Sequence, residues 1–359
     1  MPTKFRFSSF NVENLFSRAR VFNLKNRSDG DQILVKIGAL DQLLRKETYT
    51  ASIKTQIVDL YQELKFYVEI RENQGKLFTS SSAKKVKASG SNDWNGEIEF
   101  RRAKFNDIGR NNTAKVIRSV KADVACIVEA ENRPTLVAFN SQLLYSRKFS
   151  YVMSIDGNDP RGIDVGLYSE FPIGTITSHV YDGTSRSKIF SRDCPEYQVK
   201  LPGGKSLYVL CNHLKSKGYG SQVKNDQRRK KQAAQVAKIL EKYDLKKDLV
   251  VVAGDMNDTP DRSPLKPLLG TANLFDVLKL QFPNDPDKRW TYYYKSKDQI
   301  DYVLVSKPLK DAFQEAGVER RGIYNLKKIT NGAEKSFSSV THWTNAASDH
   351  GAVWAEFDV

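Results

Sequence analysis

The 359-residue chain holds little sulfur and little histidine: three cysteines, three methionines and four histidines. Cys126, Cys194 and Cys211 are odd in number, far apart and set in apolar stretches, and no CxxC pair occurs. That excludes a disulfide framework and a cysteine-based zinc site, and reads as buried, reduced thiols of a cytoplasmic protein. The sequence has no run of about eighteen apolar residues, so a membrane-spanning helix is excluded and no membrane partner is expected. The amino terminus, MPTKFRFSSFNVENLF, has no apolar stretch after its basic residues, so no secretory leader is expected. Proline is missing between Pro2 and Pro134, which leaves that stretch free to hold long helices. Negative charge is in deficit: 42 Asp and Glu stand against 57 Lys and Arg, a net charge of +15. An excess of that size favours a polyanionic partner. What remains is ordinary globular composition, 40% hydrophobic and 28% charged, which excludes disordered and fibrous classes.

Short apolar stretches bounded by turn residues recur along the chain. Phe5 to Phe10, Val124 to Val128, Val165 to Tyr168, Ile173 to Tyr181, Tyr197 to Leu201, Leu207 to Asn212, Leu249 to Ala253, Gln299 to Val305 and Ala352 to Phe357 read as strands by length and β-branched content. Helical spacing places Ile108, Val116, Ile117 and Val120 on one helix, and Ala233, Val236, Ala237 and Leu240 on another over roughly 227–242. The interleaving is irregular, which points to a mixed sheet rather than a strict βαβ alternation. Residues 20–103 break this rhythm. Ile33, Ile37, Leu40 and Leu44, then Ile53, Ile57, Leu60, Leu64 and Val68, predict two amphipathic helices, followed by a Ser-, Gly- and Lys-rich stretch that reads as an exposed, mobile loop.

Polar residues collect at the ends of the predicted strands: Asn11 and Glu13, Glu129, Arg161 and Asp164, Asn212 and His213, Asp255 and Asn257, Asp301, and Asp349 with His350. Taken singly, a strand-terminal Asp before a turn is commonly a turn former. Taken in order, Asn11, Glu129, Asn212-His213, Gly254-Asp255-Met256-Asn257, Asp301 and Ser348-Asp349-His350 resemble the signature of the endonuclease/exonuclease/phosphatase (DNase I-like) superfamily of metal-dependent phosphoesterases. The segments FNVENLF, VEAEN, RGIDVGLY and NHLKSKG are similar to bacterial deoxyribonuclease-type members. The resemblance runs from Phe5 to Phe357, apart from the helical segment 20–103, and implies an α+β fold, a four-layer αββα sandwich. It makes 1–359 a single domain carrying 20–103 as a helical, partly mobile, basic insertion, which is expected to guide a strand or to dock a protein partner.

The same resemblance implies the chemistry. Glu129 with Asn11, Asp349 and Glu13 would serve a Mg²⁺ or Mn²⁺ ion, in keeping with oxygen ligands and no cysteine. Asp255 would deprotonate the attacking water, Asn257 would hold that Asp and a phosphate oxygen, and His350, held by Asp301, would bind the scissile phosphate. Asn212 and His213 complete the catalytic set, with His213 at the phosphate or the leaving group. Arg161, whose guanidinium donates as a fork, is a candidate phosphate clamp, with Asp164 locking it or the nearby backbone. His179 has no such context, and His342 is expected to cap a loop.

Phosphatases and phospholipid diesterases are built on the same catalytic set, so fold alone leaves the substrate open. Much of the positive charge is clustered, at Lys84 to Lys87, Arg101 to Lys104, Lys215 and Lys217, Arg228 to Lys231, Arg320-Arg321 and Lys327-Lys328. Lys215, Lys217, Arg228 and Arg229 follow His213 and are expected to bind a nucleic-acid backbone; the plainer reading is a set of solvated helix faces. Tyr219 and the run Trp290 to Tyr294 offer rings for stacking on bases. The reading is therefore a metal-dependent nuclease acting endonucleolytically on DNA. An inositol-phosphatase or sphingomyelinase type of hydrolase, and a non-catalytic nucleic-acid-binding scaffold, are the alternatives.

Overall fold

A computed structural model describes residues 3–24, 26–218 and 220–359. It divides into two compact units, residues 3–16 with 105–359, and Ser17–Lys104. Strands follow in the order β1 (Lys4–Leu15), β2 (Val68–Gly75), β3 (Trp94–Phe100), β4 (Val124–Ala130), β5 (Tyr151–Ser154), β6 (Asp164–Ser169), β7 (Ile173–Thr177) and β8 (Glu196–Lys200). They continue as β9 (Ser206–His213), β10 (Leu249–Asp255), β11 (Leu274–Asp276), β12 (Tyr292–Tyr293), β13 (Lys297–Asp298), β14 (Asp301–Ser306), β15 (Phe313–Glu319) and β16 (Ala352–Asp358). The longer helices are α1 (Arg27–Leu44), α2 (Ala51–Leu64), α3 (Ile108–Val120), α4 (Arg133–Leu143) and α5 (Gln222–Leu240).

In the larger unit two six-stranded sheets, ordered β15-β16-β1-β4-β6-β5 and β11-β14-β10-β9-β8-β7, face one another. Alternate residues of each strand fill the space between them: Phe5 and Phe7, Val124, Cys126 and Val128, Val209 and Cys211, Val251 and Ala253, Val303 and Val305. The opposite parity of the first sheet, including Phe10, Val12, Ala125 and Ile127, packs on α3 and α4. On the second sheet Leu210, Val250, Val252 and Leu304 pack on α5. This is the four-layer sandwich the sequence implied, with each sheet buried on both faces as near-continuous apolar strands require. Ile108 departs from the expectation: it opens α3 more than half exposed, away from the apolar face. All three cysteines are buried and free.

The smaller unit has its own core. Ile37, Leu40 and Leu44 of α1 and Ile57 and Leu64 of α2 are buried together, as their spacing predicts. Val68, assigned by spacing to the second helix, instead opens β2, which pairs antiparallel with β3. The unit is therefore two helices plus a hairpin, not helical throughout. The stretch expected to be a mobile loop is packed: Leu77, Phe78, Ala83, Val86 and Ala88 join the same core. Its backbone is tied by Lys87 N–H to Leu77 O (2.7 Å), Tyr49 N–H to Ser89 O (2.7 Å) and Ser91 N–H to Lys46 O (2.9 Å). Five apolar residues spaced through a Ser/Lys-rich background are too sparse to register as a pattern, yet each finds a place in the core.

One basic residue of the sequence reading has a different role. Arg229 is wholly buried, with Nε 3.1 Å from Asp258 Oδ2, Nη1 donating to Lys215 O at 2.8 Å, and an ion pair to Asp226. It lies on the face of α5 that also buries Gln232, Ala233 and Val236, so it braces the helix against the loop after β9 and is sealed from any substrate. Asp258→Ala strips this buried guanidinium of its wholly buried partner. We expect a loss of about 3–5 kcal/mol in urea denaturation, and a smaller loss from Arg229→Lys, which keeps the charge although an ammonium cannot reproduce the fork.

Candidate active site

The inward-facing rows of the two sheets end, at one end of the sandwich, on polar side chains. His213 and Asp255 are the last residues of the adjacent parallel strands β9 and β10, and Asp301 pairs with Asp255 as the first residue of the antiparallel β14. Asn11 continues the row of Phe5, Phe7 and Ser9 on β1. Glu129 has the wrong parity to join them, and a bulge corrects this. Its φ of +68° and the register shift between Val128 and Ala130 re-aim the side chain. Glu13 and Asn14, also at positive φ, form the matching irregularity on β1. Gly254 has φ +135° and lies so close to β9 that a Cβ would meet Asn212 O at 1.9 Å, so only glycine fits before Asp255.

Hydrogen bonds join these groups. Asn11 Nδ2 donates to Glu129 Oε1 (3.3 Å) and Asp255 Oδ2 (3.2 Å), while its Oδ1 accepts from the Glu13 N–H (3.0 Å). The Asn14 N–H donates to Glu129 Oε2 at 3.1 Å. Asn257 holds Asp255 twice, through its N–H (2.8 Å) and Nδ2 (3.0 Å). His350 Nδ1 lies 2.8 Å from Asp301 Oδ2, which also accepts from Thr291 Oγ1 at 2.7 Å. Ser348 Oγ donates to Asn11 O (2.8 Å), tying the turn before β16 to β1.

Burial and mutual repulsion set the protonation states. Burial first, then the Asp301 charge, pushes Asp255 up to about 7. Glu13 is likewise pushed to about 7 by burial and then by Asp349. Burial opposes charge on His350, but Asp301 outweighs it and holds the imidazole well above its ordinary pKa. His213 goes the other way: burial, then the Arg192 charge, depresses it well below the ordinary range, so it is neutral. Its Nε2 lies 3.7 Å from both Glu129 Oε1 and Asp255 Oδ2.

These residues open on a cleft of about 680 Å³ that brings Glu13, Glu129, Asp255 and Asp349 together with Arg161, Arg192, Lys217 and Lys295. A model of the Endonuclease/Exonuclease/phosphatase family matches residues 94–350. The chain belongs to this family. The match begins after β1, and it is the fold that returns Asn11 to Glu129 and Asp255. Among solved structures, an endonuclease/exonuclease/phosphatase family protein from Bacteroides thetaiotaomicron superposes with a TM-score of 0.51 at 13% identity, covering 100% of this chain and 98% of that one. An AP endonuclease from Archaeoglobus fulgidus gives 0.49 at 20% identity, covering 71% and 96%. Truncated Caenorhabditis elegans TDP2 gives 0.48 at 17%, covering 70% and 91%. A sequence comparison with curated proteins found no match. Membership makes the chain a metal-dependent phosphoester hydrolase, and its oxygen-rich donor set fits a hard divalent cation. The carboxylates of Glu13, Glu129, Asp255 and Asp349 crowd one cleft, and the mutual repulsion that raises Glu13 is what a cation there would relieve. Asp255, Asp301 and His350 also place ligand atoms within 4.8 Å of one another, but Asp301 already engages His350 Nδ1, so that trio works as a hydrogen-bonded dyad beside Asp255.

The other candidates divide. Arg161 lines the cleft, its Nη2 2.8 Å from Asp159 Oδ2. Asp164 accepts from the Gly157 N–H instead (2.8 Å), bracing backbone. Lys217 lines the cleft, whereas Lys215 Nζ turns back to Gly218 O (3.1 Å). Arg228 is exposed on α5. Asn212, expected in the catalytic set, has the opposite parity to His213: wholly buried on the α5 side, it donates to Leu210 O, and its place is structural. Trp290 is buried under Arg320, 4.4 Å from its guanidinium, and is no stacking platform. Arg320 itself is buried, donating to Trp290 O and Lys288 O, so that basic pair is not a surface patch. Tyr292 packs on His350 with centroids 4.8 Å apart, and Tyr294 stands exposed at the cleft rim. Tyr219 lies outside the described residues. His179 is held between Asp182 and Glu196, and His342 caps a short turn through Thr344, both as expected. Arg192 and Thr291 were missed. Arg192 sits in a loop, SRDCPEY, whose only sequence signal is its cysteine, and Thr291 is hidden in an aromatic run.

Asp301→Asn removes the charge that keeps His350 protonated. Its imidazole titration midpoint, followed by NMR in the metal-free protein, should fall by about one pH unit or more, and an unchanged midpoint would refute the dyad.

Proposed function

We propose that the chain is a Mg²⁺- or Mn²⁺-dependent nuclease that hydrolyses phosphodiester bonds of DNA, cutting within the strand. The observation that carries this reading is the composition of the cleft: the carboxylates of Glu13, Glu129, Asp255 and Asp349 together with the cations of Arg161, Arg192, Lys217 and Lys295. A phosphodiester backbone needs both, cations for the charges it carries and a general base for the water that attacks phosphorus.

In this reading Glu129, Asp349 and Glu13 would hold the cation, which would supply charge relief on the phosphoryl oxygens. Asn11, its oxygen already engaged by the Glu13 N–H, orients the Glu129 and Asp255 carboxylates as a shared donor. Asp255, raised to about 7 and aligned by Asn257, takes the proton of the attacking water. As the new P–O bond forms, the bond to the leaving oxygen breaks and that oxygen takes a proton from solvent water, while the charge on the phosphoryl group is met by protonated His350 and by Arg161 and Arg192. His213, neutral, donates from Nε2 to a phosphate oxygen. A second cavity of about 550 Å³ shares Glu13, Tyr294 and Asp349 with the cleft and adds Tyr324 and Trp343, rings suited to a nucleoside beside the scissile bond.

Supercoiled plasmid, linear duplex, single strand, RNA, soluble inositol phosphates and choline lipids, each with Mg²⁺, Mn²⁺ or chelator, test the substrate class. Nicking of plasmid that stops with chelator is expected; turnover of inositol phosphates or lipids without DNA cleavage would overturn the proposal in favour of the other hydrolases. Asp255→Ala should lower kcat about 10²- to 10⁴-fold while leaving the melting temperature within a few degrees or raising it, since a buried carboxylate is removed. Glu129→Gln should act chiefly on the metal concentration needed for half-maximal rate.

A further inference from the structure

The smaller unit carries a second cavity of about 860 Å³, lined by Arg18, Ala19, Arg20, Phe22, Phe100 and Arg102 among others. It forms where the chain enters and leaves the unit. Arg20 N–H donates to Arg101 O (2.9 Å) and Ala103 N–H to Arg18 O (2.7 Å), so two short segments distant in sequence lie side by side.

Its charges are unbalanced. Glu69 and Glu99 also line it, but each is already engaged, Glu69 with Arg101 at 3.1 Å and Glu99 with Arg71 at 2.8 Å. Arg20 spends its donors on carbonyls, Nε on Arg102 O (3.1 Å) and Nη1 on Phe66 O (2.8 Å), and so keeps its charge uncompensated. Arg18 and Arg102 are exposed, and among the described residues neither guanidinium has a hydrogen-bond or ion-pair partner. Three cationic groups thus meet at one cavity whose two carboxylates, Glu69 and Glu99, are engaged by Arg101 and Arg71.

The rings there are equally unusual. Phe22 and Phe66 are each 58% exposed and Phe100 40%, a high exposure for phenylalanine. Phe22 and Phe100 pair with centroids 6.1 Å apart, and the Arg20 guanidinium lies 4.6 Å over the Phe66 ring. Water-exposed rings beside unpaired guanidiniums match a ligand that alternates flat π faces with anionic groups. That is a nucleic-acid strand with unstacked bases; a duplex would offer its phosphates but not its base faces.

We propose that this cavity binds single-stranded nucleic acid, its phosphates on Arg18, Arg20 and Arg102 and its bases on Phe22 and Phe100. The choice of ligand rests on the nuclease reading above. The Lys84 to Lys87 cluster, from which a strand-guiding role was expected, is not part of it.

The test is binding without turnover. With the full chain and a chelator, fluorescence anisotropy of a labelled single-stranded oligonucleotide is followed across a salt series, with inorganic polyphosphate and polyglutamate as competitors. Arg18→Ala/Arg102→Ala should weaken binding about tenfold or more and flatten the slope of log K against log salt by about 1.4, the value for two lost phosphate contacts on a single strand. Phe22→Leu/Phe100→Leu should weaken oligonucleotide binding about fivefold or more while leaving polyphosphate competition unchanged. Unaltered affinity and slope in the arginine variant would overturn the proposal. So would silence of the phenylalanine variant, which would leave a simple anion patch, or polyglutamate competing as well as polyphosphate, which would point to an acidic protein. Because the readout needs no cleavage, failure of the wild type to cut DNA would sink the nuclease reading and leave this measurement standing. Far-UV circular dichroism of both variants excludes misfolding as the cause of a loss.

Discussion

The period of two along a β-strand governs this molecule. Residues that alternate into the space between the sheets are apolar for most of each strand and polar at one end, so the rows that build the core also deliver the chemistry. Val209, Cys211 and His213 form one such row; Val251, Ala253 and Asp255 form the next, and Val305, Val303 and Asp301 the third. Hydrogen-bond register fixes their spacing, so His213, Asp255 and Asp301 stand side by side at one end of the sheet. A slip of one residue in β10 would bury Gly254 where Asp255 stands and turn Asp255 toward α5.

Much of this was legible in the sequence because it depends on alternation and on separated motifs in a fixed order. The strands carrying His213, Asp255 and Asp301 are where their apolar runs placed them, and Glu129, His213, Asp255, Asn257, Asp349 and His350, far apart in sequence, line one cleft. What escaped depends on atomic detail. Glu129 reaches the cleft only because a bulge overrides its parity. Asn212 and His213 look equivalent as neighbours in sequence, yet a strand sends them to opposite faces. In the run Arg228 to Lys231, helical periodicity selects Arg229 alone for burial with Asp258, which composition cannot reveal. Arg192 is brought in by a loop, and loops have no period to read.

The electrostatic layout has the same logic at larger scale. A chain of net charge +15 gathers Glu13, Glu129, Asp255 and Asp349 into one cleft with Arg161, Arg192, Lys217 and Lys295, and burial there raises Asp255 and Glu13. The two histidines illustrate how sharply the field varies. His350, against Asp301, keeps its proton, whereas His213, buried near Arg192, gives its proton up. Identical side chains therefore offer a cation and a neutral donor within one cleft.

The two ends of the smaller unit adjoin one another. One residue in from each of its ends, the Ala103 N–H to Arg18 O bond brings the two together, so about eighty-eight residues begin and finish at almost the same point. A strand-to-helix connection of the larger fold needs only a short loop there, and closing a longer one costs little more. The smaller unit's core of Ile37, Leu40, Leu44, Ile57 and Leu64 is separate from the one between the sheets, so each can be repacked by substitution without a void opening in the other.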